Sequence, residues 1–270
     1  MKISSLQNPQ VKEAVKLQNR RKRDESGLFL IEGYRELRRA VDNGWTIKTL
    51  FFCSDLFLGE NEPDLISQIE ADKALVYECT PSVFQKISYR DRPDGLLAVA
   101  VQRRDSLGLL GSQLSDNPIL VVAEAIEKPG NLGSILRSAD GIGADGVIVC
   151  DRCTDIYNPN VVRASVGTLF TIPVVEAKGG ETSFWLQEQG IEVVATSPAA
   201  ELEFTEADLS GPVAIVVGTE QIGLTEMWLA SADIKVSIPM RGEADSLNVA
   251  TATTLLLYEA LRQRKQGFFM

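Results

Sequence analysis

The sequence predicts an α/β protein in which helices cover a largely parallel sheet, and three observations lead to this fold class. Short apolar segments rich in valine and isoleucine alternate with helical stretches in the second half of the 270-residue chain. Such unbroken apolar runs are typical of strands buried on both faces. Hydrophobic residues at 44% and charged residues at 24% are average for folded globular proteins. No apolar run reaches the roughly 18 residues that a membrane span needs, so no membrane association is expected.

The first 101 residues are expected to form a small α/β domain. The predicted helices are 9–22, 34–43, 64–71 and 81–87, and the predicted strands are 29–32, 47–53, 74–78 and 95–101. Residues 102–117 are rich in serine, glycine and charged side chains and lead into an Asp-Asn-Pro turn. This composition predicts a linker between two domains.

Residues 118–270 are expected to form the second and larger domain. Its predicted strands are 119–125, 147–150, 172–175, 191–196, 213–217 and 234–238, with helical stretches between them. Parallel strands joined by helices bring their carboxyl ends to one edge of the sheet, where α/β proteins bind ligands. We therefore expect functional residues in the loops that follow these strands.

The absence of histidine restricts the chemistry more than any other feature of the composition. It excludes Ser-His-Asp and Cys-His catalysis, histidine general bases and metal sites that need imidazole, and no metal is expected. Four cysteines in so long a chain do not make a disulfide framework, so they are expected to be reduced. Polar and charged residues follow Met1 where a secretory segment would be apolar, which predicts a cytoplasmic protein.

The net charge of −10 conceals two different halves. Residues 1–115 contain 17 basic and 16 acidic residues, whereas residues 116–270 contain 10 basic and 21 acidic ones. Basic residues cluster early in the chain, at Arg20, Arg21, Lys22, Arg23, Arg35, Arg38 and Arg39. Clustering of this kind is typical of a nucleic-acid-binding surface, but a basic run also occurs on solvated helix faces. The residues alone leave both interpretations open.

Two short motifs in the middle of the chain indicate structure rather than chemistry. The glycines at 141, 143 and 146 match the spacing of a dinucleotide-binding loop, but a predicted helix precedes them and a strand follows, which reverses the required order. They are interpreted as the turn that ends a helix. Cys150 and Cys153 lack a second pair at zinc-binding spacing and are interpreted as small, partly buried thiols.

The first of three informative segments is EKPGNLGSILRSAD, residues 127–140. Asn131 follows Pro-Gly and is expected to cap a helix. One face of this helix is apolar, and the other carries short donors and one arginine within about a third of its circumference. These polar residues are Asn131, Ser134, Arg137 and Ser138. An ordinary surface helix would carry a mixture of glutamate and lysine there.

The other two segments follow predicted strands. GTEQIGL begins at Gly218, and IPMRGEADSLNVAT begins at Ile238 and leads into a C-terminal helix. Gly242 is expected to permit a tight backbone path, and Ser246 to cap the helix. The helix has a broad apolar face, formed by Val249, Ala252, Leu256, Leu257, Ala260 and Leu261. This face predicts contact with a second copy of the chain, the alternative being burial within its own domain.

The three segments, in this order and spacing, resemble the signature motifs of the SpoU (TrmH-like) family of RNA ribose 2′-O-methyltransferases in the SPOUT superfamily. NxGSILRSA resembles the first motif, GTEQxGL the second and IPMxGxxxSLNV the third, and NPNVVRASVG resembles the helix between the first two. The resemblance covers residues 118–266. Residues 1–101 resemble, more weakly, the substrate-binding module that precedes the catalytic domain in rRNA-modifying members.

The resemblance implies a catalytic domain with a C-terminal trefoil knot, S-adenosylmethionine bound in that knot, and a homodimer. By position, it implies active-site roles for Asn131, Arg137, Glu220, Ser246 and Asn248. It implies contacts to the cofactor from Gly218, Ile238, Met240 and Leu247. Because the second half is acidic, more of the phosphate binding is expected from the basic residues of the first domain and from Arg163.

The implied reaction suits a protein without histidine. Methyl transfer to a ribose hydroxyl needs in-line placement and removal of a proton, but no metal. Because a guanidinium stays protonated in proteins, Arg137 is expected to bind phosphate and stabilise the developing alkoxide, and the proton acceptor is unassigned. Ribosomal RNA is the expected substrate. Transfer RNA, a base as the methyl acceptor, and a non-catalytic RNA-binding protein with this fold are the alternatives.

Overall fold

The structure, a computed structural model, describes residues 2–151, 154–219 and 221–266. The strands are β1 (Lys2–Ile3), β2 (Leu28–Glu32), β3 (Ile47–Phe52), β4 (Leu75–Cys79), β5 (Leu96–Val101), β6 (Ile119–Glu124), β7 (Gly146–Cys150), β8 (Val174–Ala177), β9 (Glu192–Thr196), β10 (Leu202–Glu203), β11 (Val213–Val217) and β12 (Ile234–Ser237). The α-helices are α1 (Pro9–Lys16), α2 (Arg20–Ser26), α3 (Tyr34–Asp42), α4 (Glu62–Ala71), α5 (Pro81–Ile87), α6 (Leu107–Gly111), α7 (Pro129–Ile142), α8 (Pro159–Ala164), α9 (Gly179–Glu188), α10 (Glu226–Ser231) and α11 (Val249–Gln266).

The chain divides into two compact units. The first unit comprises Met1–Arg103 and Asp155–Thr171, and the second comprises Arg104–Thr154 and Ile172–Met270. The predicted division into residues 1–101, 102–117 and 118–270 differs from these units in the segment Asp155–Thr171 and in the linker, most of which belongs to the second unit and contains α6. As a division into functional domains it stays a prediction.

The first unit is built on a mixed sheet in the order β1-β4-β3-β5-β2, in which β5 is antiparallel to both of its neighbours. Its core contains Leu30, Phe51, Phe84 and Leu97, all nearly inaccessible to solvent. The helix predicted over 9–22 is instead two helices, and that prediction was wrong. Asn19 accepts a hydrogen bond from the Arg21 backbone nitrogen at 2.9 Å, and this cap starts α2 after α1 has ended.

The segment Asp155–Thr171, which includes α8, packs within the first unit through aromatic side chains. The Tyr157 ring lies 4.5 Å from that of Phe29, and the Phe170 ring lies 5.0 Å from that of Trp45, measured between centroids. The Trp45 indole also donates a hydrogen bond to the Phe170 carbonyl at 3.3 Å. Both ends of the segment are therefore held by the core of the first unit.

The second unit contains the predicted parallel sheet, in the order β10-β12-β9-β11-β6-β7-β8. Its strands pair in parallel throughout, with Val213 opposite Ile119 and Leu120 opposite Gly146. The α/β fold class and the parallel sheet are confirmed, and the strand predictions differ from the observed bounds by a few residues at most. The trefoil knot stays a prediction. Gly143 ends α7 with φ of 71°, which confirms that the glycine motif is a helix-ending turn.

Helix α11 buries the apolar face on which the predicted second-copy contact depended. Leu256, Leu257 and Ala260 are fully buried within the chain, and Val249 is 7% exposed. The predicted use of this face in a dimer is therefore wrong, because the face packs in the core of its own unit. Within the described residues, no helix is long and apolar enough to cross a membrane.

Candidate active site

The carboxyl ends of neighbouring parallel strands place the predicted motifs along one edge of the sheet. Val217, at the end of β11, lies opposite Ala123 of β6, and β12 joins the same sheet through β9. Helix α7, the Gly218 loop (residues 218, 219 and 221–225) and the Ile238 loop (residues 238–248) follow β6, β11 and β12 respectively. This edge is where ligands bind in open parallel sheets.

Helix α7 carries the first motif. Leu132, Ile135 and Leu136 are fully buried, whereas Arg137 is exposed, which confirms the predicted division into an apolar and a polar face. The predicted cap was wrong: the helix begins at Pro129, so Asn131 lies inside its first turn. Proline is favourable at the first helical position because its missing N–H needs no partner there.

Asn131 is in direct contact with the third motif. The Asn248 side-chain nitrogen donates to Asn131 Oδ1 at 3.1 Å. Asn248 Oδ1 also accepts from the Ala250 backbone nitrogen at 3.1 Å, so Asn248 caps α11. The predicted capping role of Ser246 was wrong, because α11 begins at Val249, and Ser246 is an exposed residue of the Ile238 loop.

Two further contacts join α7 to α11 beyond the two asparagines. Ser138 Oγ and Thr254 Oγ1 are 2.6 Å apart. A Cβ atom added to Gly141 would lie 3.6 Å from the Tyr258 hydroxyl, which is ordinary van der Waals contact. The helices that carry the first and third motifs therefore pack side by side along several turns, which fixes Asn131 relative to Asn248.

The Gly218 loop is a tight turn that requires glycine at its first residue. Thr219 and Gly223 exchange two backbone hydrogen bonds, at 3.2 and 3.0 Å. A Cβ atom on Gly218 would lie 2.3 Å from the Gly223 carbonyl oxygen, which is closer than atoms can approach. Glu220, predicted as a site residue in this loop, lies outside the described residues.

Glu124 is a residue of the site that sequence reasoning missed. It is 2% exposed at the carboxyl end of β6. Its carboxylate accepts from the Thr225 backbone nitrogen at 2.9 Å and from the Thr225 hydroxyl at 2.7 Å. The end of the Gly218 loop is thereby attached to β6. The available signal was a lone acidic residue that closes the apolar run ILVVAE.

The Ile238 loop combines partly buried apolar side chains with exposed polar ones. Ile238, Met240 and Leu247 are half-buried. Gly242 has neither a left-handed φ nor any atom within 4 Å of an added Cβ, so the predicted need for glycine there was wrong. Half-buried apolar side chains of this kind are typical contacts of a flat apolar group such as adenine.

Comparison with models of known protein families identifies the family of this chain. Residues 118–258, more than half of the chain, match the model of the SpoU rRNA Methylase family. The chain belongs to the SpoU rRNA methylase family. Residues 8–98 match a second model, the MRM3-like substrate binding domain.

Relatives that match most of the chain support its assignment to the SpoU family. It is 33% identical, over 93% of its length and 88% of the relative's, to the 23S rRNA (uridine(2479)-2′-O)-methyltransferase of Streptomyces viridochromogenes. It is 28% identical, over 95% of its length and 97% of the relative's, to the 23S rRNA (guanosine(2553)-2′-O)-methyltransferase RlmP of Bacillus subtilis. The crystal structure of an AdoMet-bound rRNA methyltransferase from Sinorhizobium meliloti superposes with a TM-score of 0.89 at 34% identity, covering 97% of each chain.

The basic run of the SpoU chain is largely neutralised by its own helix. Arg21 and Lys22 both bind Glu25 at 2.7 Å, and Arg20 lies 3.6 Å from Asp24. These pairs are exposed, so that solvent and salt weaken them and the cations can exchange partners. Lys16, Arg21 and Lys22 also line a groove of about 740 Å³ between α1 and α2.

Arg23 differs from the rest of the run. Its guanidinium is buried and donates to Asp155 Oδ2 at 2.9 and 2.5 Å, and to the carbonyl oxygens of Leu17 and Gln18 at 2.8 and 3.0 Å. The predicted RNA-binding role of Arg23 was wrong, because four of its five N–H groups donate inside the first unit. A side chain 1% exposed has no surface for phosphate.

The remaining predicted RNA-binding residues have different surroundings. Arg38 pairs with Asp42 at 3.0 Å, and Arg39 donates to the Val166 carbonyl. Arg35 and Arg163 are exposed and have no ion pair or hydrogen bond with any residue that the structure describes. All four lie in the first unit, which has 17 basic and 16 acidic residues, against 10 and 21 in the second.

The cysteines and acidic groups offer no metal site in the described part of the chain. Cys53, Cys79 and Cys150 are buried, and burial raises the pKa of the Cys79 thiol to about 12. A thiol with so high a pKa is a poor nucleophile and metal ligand. The interpretation of Cys153 lies outside the described residues.

Proposed function

We propose that this chain transfers the methyl group of S-adenosylmethionine to a ribose 2′-hydroxyl of ribosomal RNA. The observation that carries the proposal is the Asn131–Asn248 hydrogen bond, which joins the first and third motifs beside the Gly218 loop at the carboxyl edge of the sheet. Membership of the SpoU family supports the reaction class. The relatives named above act on a uridine and a guanosine, so their shared acceptor is the ribose.

The cofactor is expected in the space bordered by the Gly218 and Ile238 loops. S-adenosylmethionine supplies an electrophilic methyl group when bound. Ile238, Met240 and Leu247 would contact its adenosine part, because their half-buried apolar side chains suit a flat aromatic ring. Gly218 would keep the loop that borders the cofactor in its tight turn.

Arg137 has the freedom that a phosphate-binding residue needs. It is exposed on α7, six residues after Asn131, and bonds to no residue that the structure describes. Its guanidinium would bind the phosphate beside the target ribose and stabilise the charge that develops on the 2′-oxygen. Asn131, Ser246 and Asn248 would position the ribose and the methionine end of the cofactor by hydrogen bonds. The family motif implies a role for Glu220 in the same reaction.

The homodimer belongs to the same proposal. Helix α11 leaves Leu255 38% exposed and Tyr258 50% exposed, on the side opposite its buried face. These side chains would pack against a second copy. Light scattering of the wild type should give the dimer mass, and Tyr258→Glu should shift it toward the monomer. A monomeric wild type at micromolar concentration would contradict the dimer.

Nucleoside mass spectrometry tests the function directly. Ribosomal and transfer RNA from cells with and without this protein would be digested and compared, and one 2′-O-methylated nucleoside should be lost from ribosomal RNA. Loss from transfer RNA would show that transfer RNA is the substrate, and loss of a base methyl group would show that a base is the acceptor.

We place the enzyme in the cytoplasm, where it would meet its RNA. Calorimetry should show S-adenosylmethionine binding, and its absence would favour a non-catalytic RNA-binding protein.

A further inference from the structure

An exposed aromatic ring in the first unit is fixed at both ends. Tyr89 follows α5 and is 41% exposed to solvent. The Asn160 side-chain nitrogen donates to the Tyr89 hydroxyl at 2.7 Å. The Tyr89 backbone nitrogen donates to Glu32 Oε2 at 2.7 Å. The ring is therefore exposed and yet restricted in orientation.

A buried charged cluster supports the backbone beneath this ring. Glu32 accepts from Ser88, Tyr89 and Arg90, and the Arg90 guanidinium donates to Glu36 at 2.6 Å. Burial raises the pKa of Glu32 and Glu36, while their hydrogen bonds and the Arg90 charge oppose that shift. Because Glu32 accepts from three consecutive residues and Arg90 also binds Glu36, the loop that carries Tyr89 is held by a network rather than by a single contact.

Three exposed arginines lie close in sequence to residues that bind or support the ring. Arg163 lies one helical turn after Asn160 on α8, and Arg92 follows Tyr89 by three residues. Arg35 lies in the first turn of α3 and precedes Glu36 in sequence, whose buried carboxylate binds Arg90. None of the three arginines bonds to a residue in the described ranges, whereas the cations of α2 are paired.

We infer that Tyr89, Asn160 and the arginines at 35, 92 and 163 form a subsite for an unpaired nucleotide of the RNA substrate. The inference rests on the proposed function, which makes RNA the ligand. A base would stack on the Tyr89 ring, and the adjoining phosphates would bind the arginines. Proteins bind unpaired RNA in this way, because every base has a face that stacks while guanidinium groups neutralise the backbone.

The acidic residues nearby do not oppose this assignment. Glu32, Glu36 and Asp94 are directed to Arg90 or to backbone N–H groups, with Asp94 accepting from Tyr34 at 3.1 Å. Asp91 is the exposed carboxylate of the same loop. One exposed carboxylate thus accompanies three exposed arginines in this set of residues, which has a positive net charge.

Fluorescence anisotropy with fluorescein-labelled octauridylate tests the subsite at about 50 mM salt. Tyr89→Ala should raise the Kd of the full-length protein for this oligonucleotide about tenfold, which is the usual loss on removing a stacking side chain. Tyr89→Phe keeps the ring and should stay within about threefold of the wild type. Leu58→Ala removes an 84% exposed side chain from the same unit and is the matched control.

The outcomes separate stacking from a structural role and from the proposed function. A Kd for Tyr89→Ala within twofold of the wild type overturns the subsite, and so does an equal loss in Tyr89→Phe, because the ring would then not be the binding element. If Tyr89→Ala does not fold by circular dichroism, Tyr89→Leu removes the ring while keeping its bulk, and is read in the same way. Crosslinking of a 4-thiouridine-substituted octamer should modify the peptide that contains Tyr89. S-adenosylmethionine binding is measured in parallel, and its failure counts against the proposed function alone.

Discussion

Replacement of Arg23 by alanine distinguishes a structural arginine from an RNA-binding one. The guanidinium forms four hydrogen bonds inside the first unit, two of them to Asp155, at distances between 2.5 and 3.0 Å. Arg23→Ala would leave the Asp155 carboxylate buried at 7% exposure without its countercharge. Asp155 also accepts from the Tyr157 backbone nitrogen at 2.8 Å, so the start of the segment Asp155–Thr171 depends on this carboxylate.

The magnitude follows from the burial of both partners. Removing one member of a buried ion pair costs about 3–5 kcal/mol, because an uncompensated charge stays in a medium of low dielectric constant. For a unit of this size, that loss corresponds to a fall in Tm of roughly 10–20 °C. Arg20→Ala removes an exposed cation 3.6 Å from Asp24 and should change the unfolding free energy by less than about 0.5 kcal/mol.

Urea denaturation followed by circular dichroism measures the loss, and RNA binding at several salt concentrations gives the second readout. Arg23→Ala should be strongly destabilised. Under conditions in which the variant is folded, the salt dependence of its RNA binding should have the same slope as that of the wild type. Replacing both partners, as Arg23→Met with Asp155→Leu, should recover part of the stability because no charge is left unpaired. An Arg23→Ala variant within about 1 kcal/mol of the wild type, with a reduced salt slope, would refute the structural assignment.

Four further predictions concern the site and the RNA surface. Arg137→Ala should leave the S-adenosylmethionine Kd unchanged in calorimetry and lower single-turnover methyl transfer by about 100- to 1000-fold, with only partial rescue by lysine, which cannot form a bidentate fork. Glu124→Ala should cost about 1–3 kcal/mol in urea denaturation and weaken cofactor binding, because the Gly218 loop loses two hydrogen bonds; full cofactor affinity would contradict this role. Gly218→Ala should weaken cofactor binding at least tenfold, since its Cβ would collide with the loop backbone, whereas Gly180→Ala, with no atom within 4 Å of the added carbon, should not. Arg21→Ala should flatten the salt dependence of RNA binding by up to about one unit of slope, and an unchanged slope would show that this arginine is merely solvated.

The pattern of the sequence predicted the elements of the fold because that pattern is local. The central strands β6, β7 and β11 of the second unit are buried and almost entirely apolar, and the apolar face of α7 repeats at helical spacing. The motifs also placed Asn131 and Asn248 in one site, and they are in contact. The capping residues were predicted less well, because a cap depends on the residue at which the helix begins. Ser246 and Asn248 are both suitable capping residues and are only two positions apart, and α11 begins after Asn248.

The roles of Arg23 and Glu124 could not be predicted because they depend on partners distant in sequence. Arg23 looks like its neighbours in a basic run, and only the position of Asp155, 132 residues later, makes it structural. Glu124 acquires its role from Thr225, 101 residues later. The segment Asp155–Thr171 lies in sequence between β7 and β8 of the second unit but belongs to the first unit. No local sequence pattern predicts this.

The central claim is that the methyl acceptor is a ribose 2′-hydroxyl, and one substitution in the RNA tests it. Once the modified nucleotide is mapped, a ribosomal RNA fragment carrying a single 2′-deoxy nucleotide at that position would be incubated with the protein and radiolabelled S-adenosylmethionine. Methyl incorporation should be abolished, while the fragment still binds, because the nucleophile is absent. Incorporation at the rate of the unmodified fragment would show that a base atom accepts the methyl group and would contradict the account.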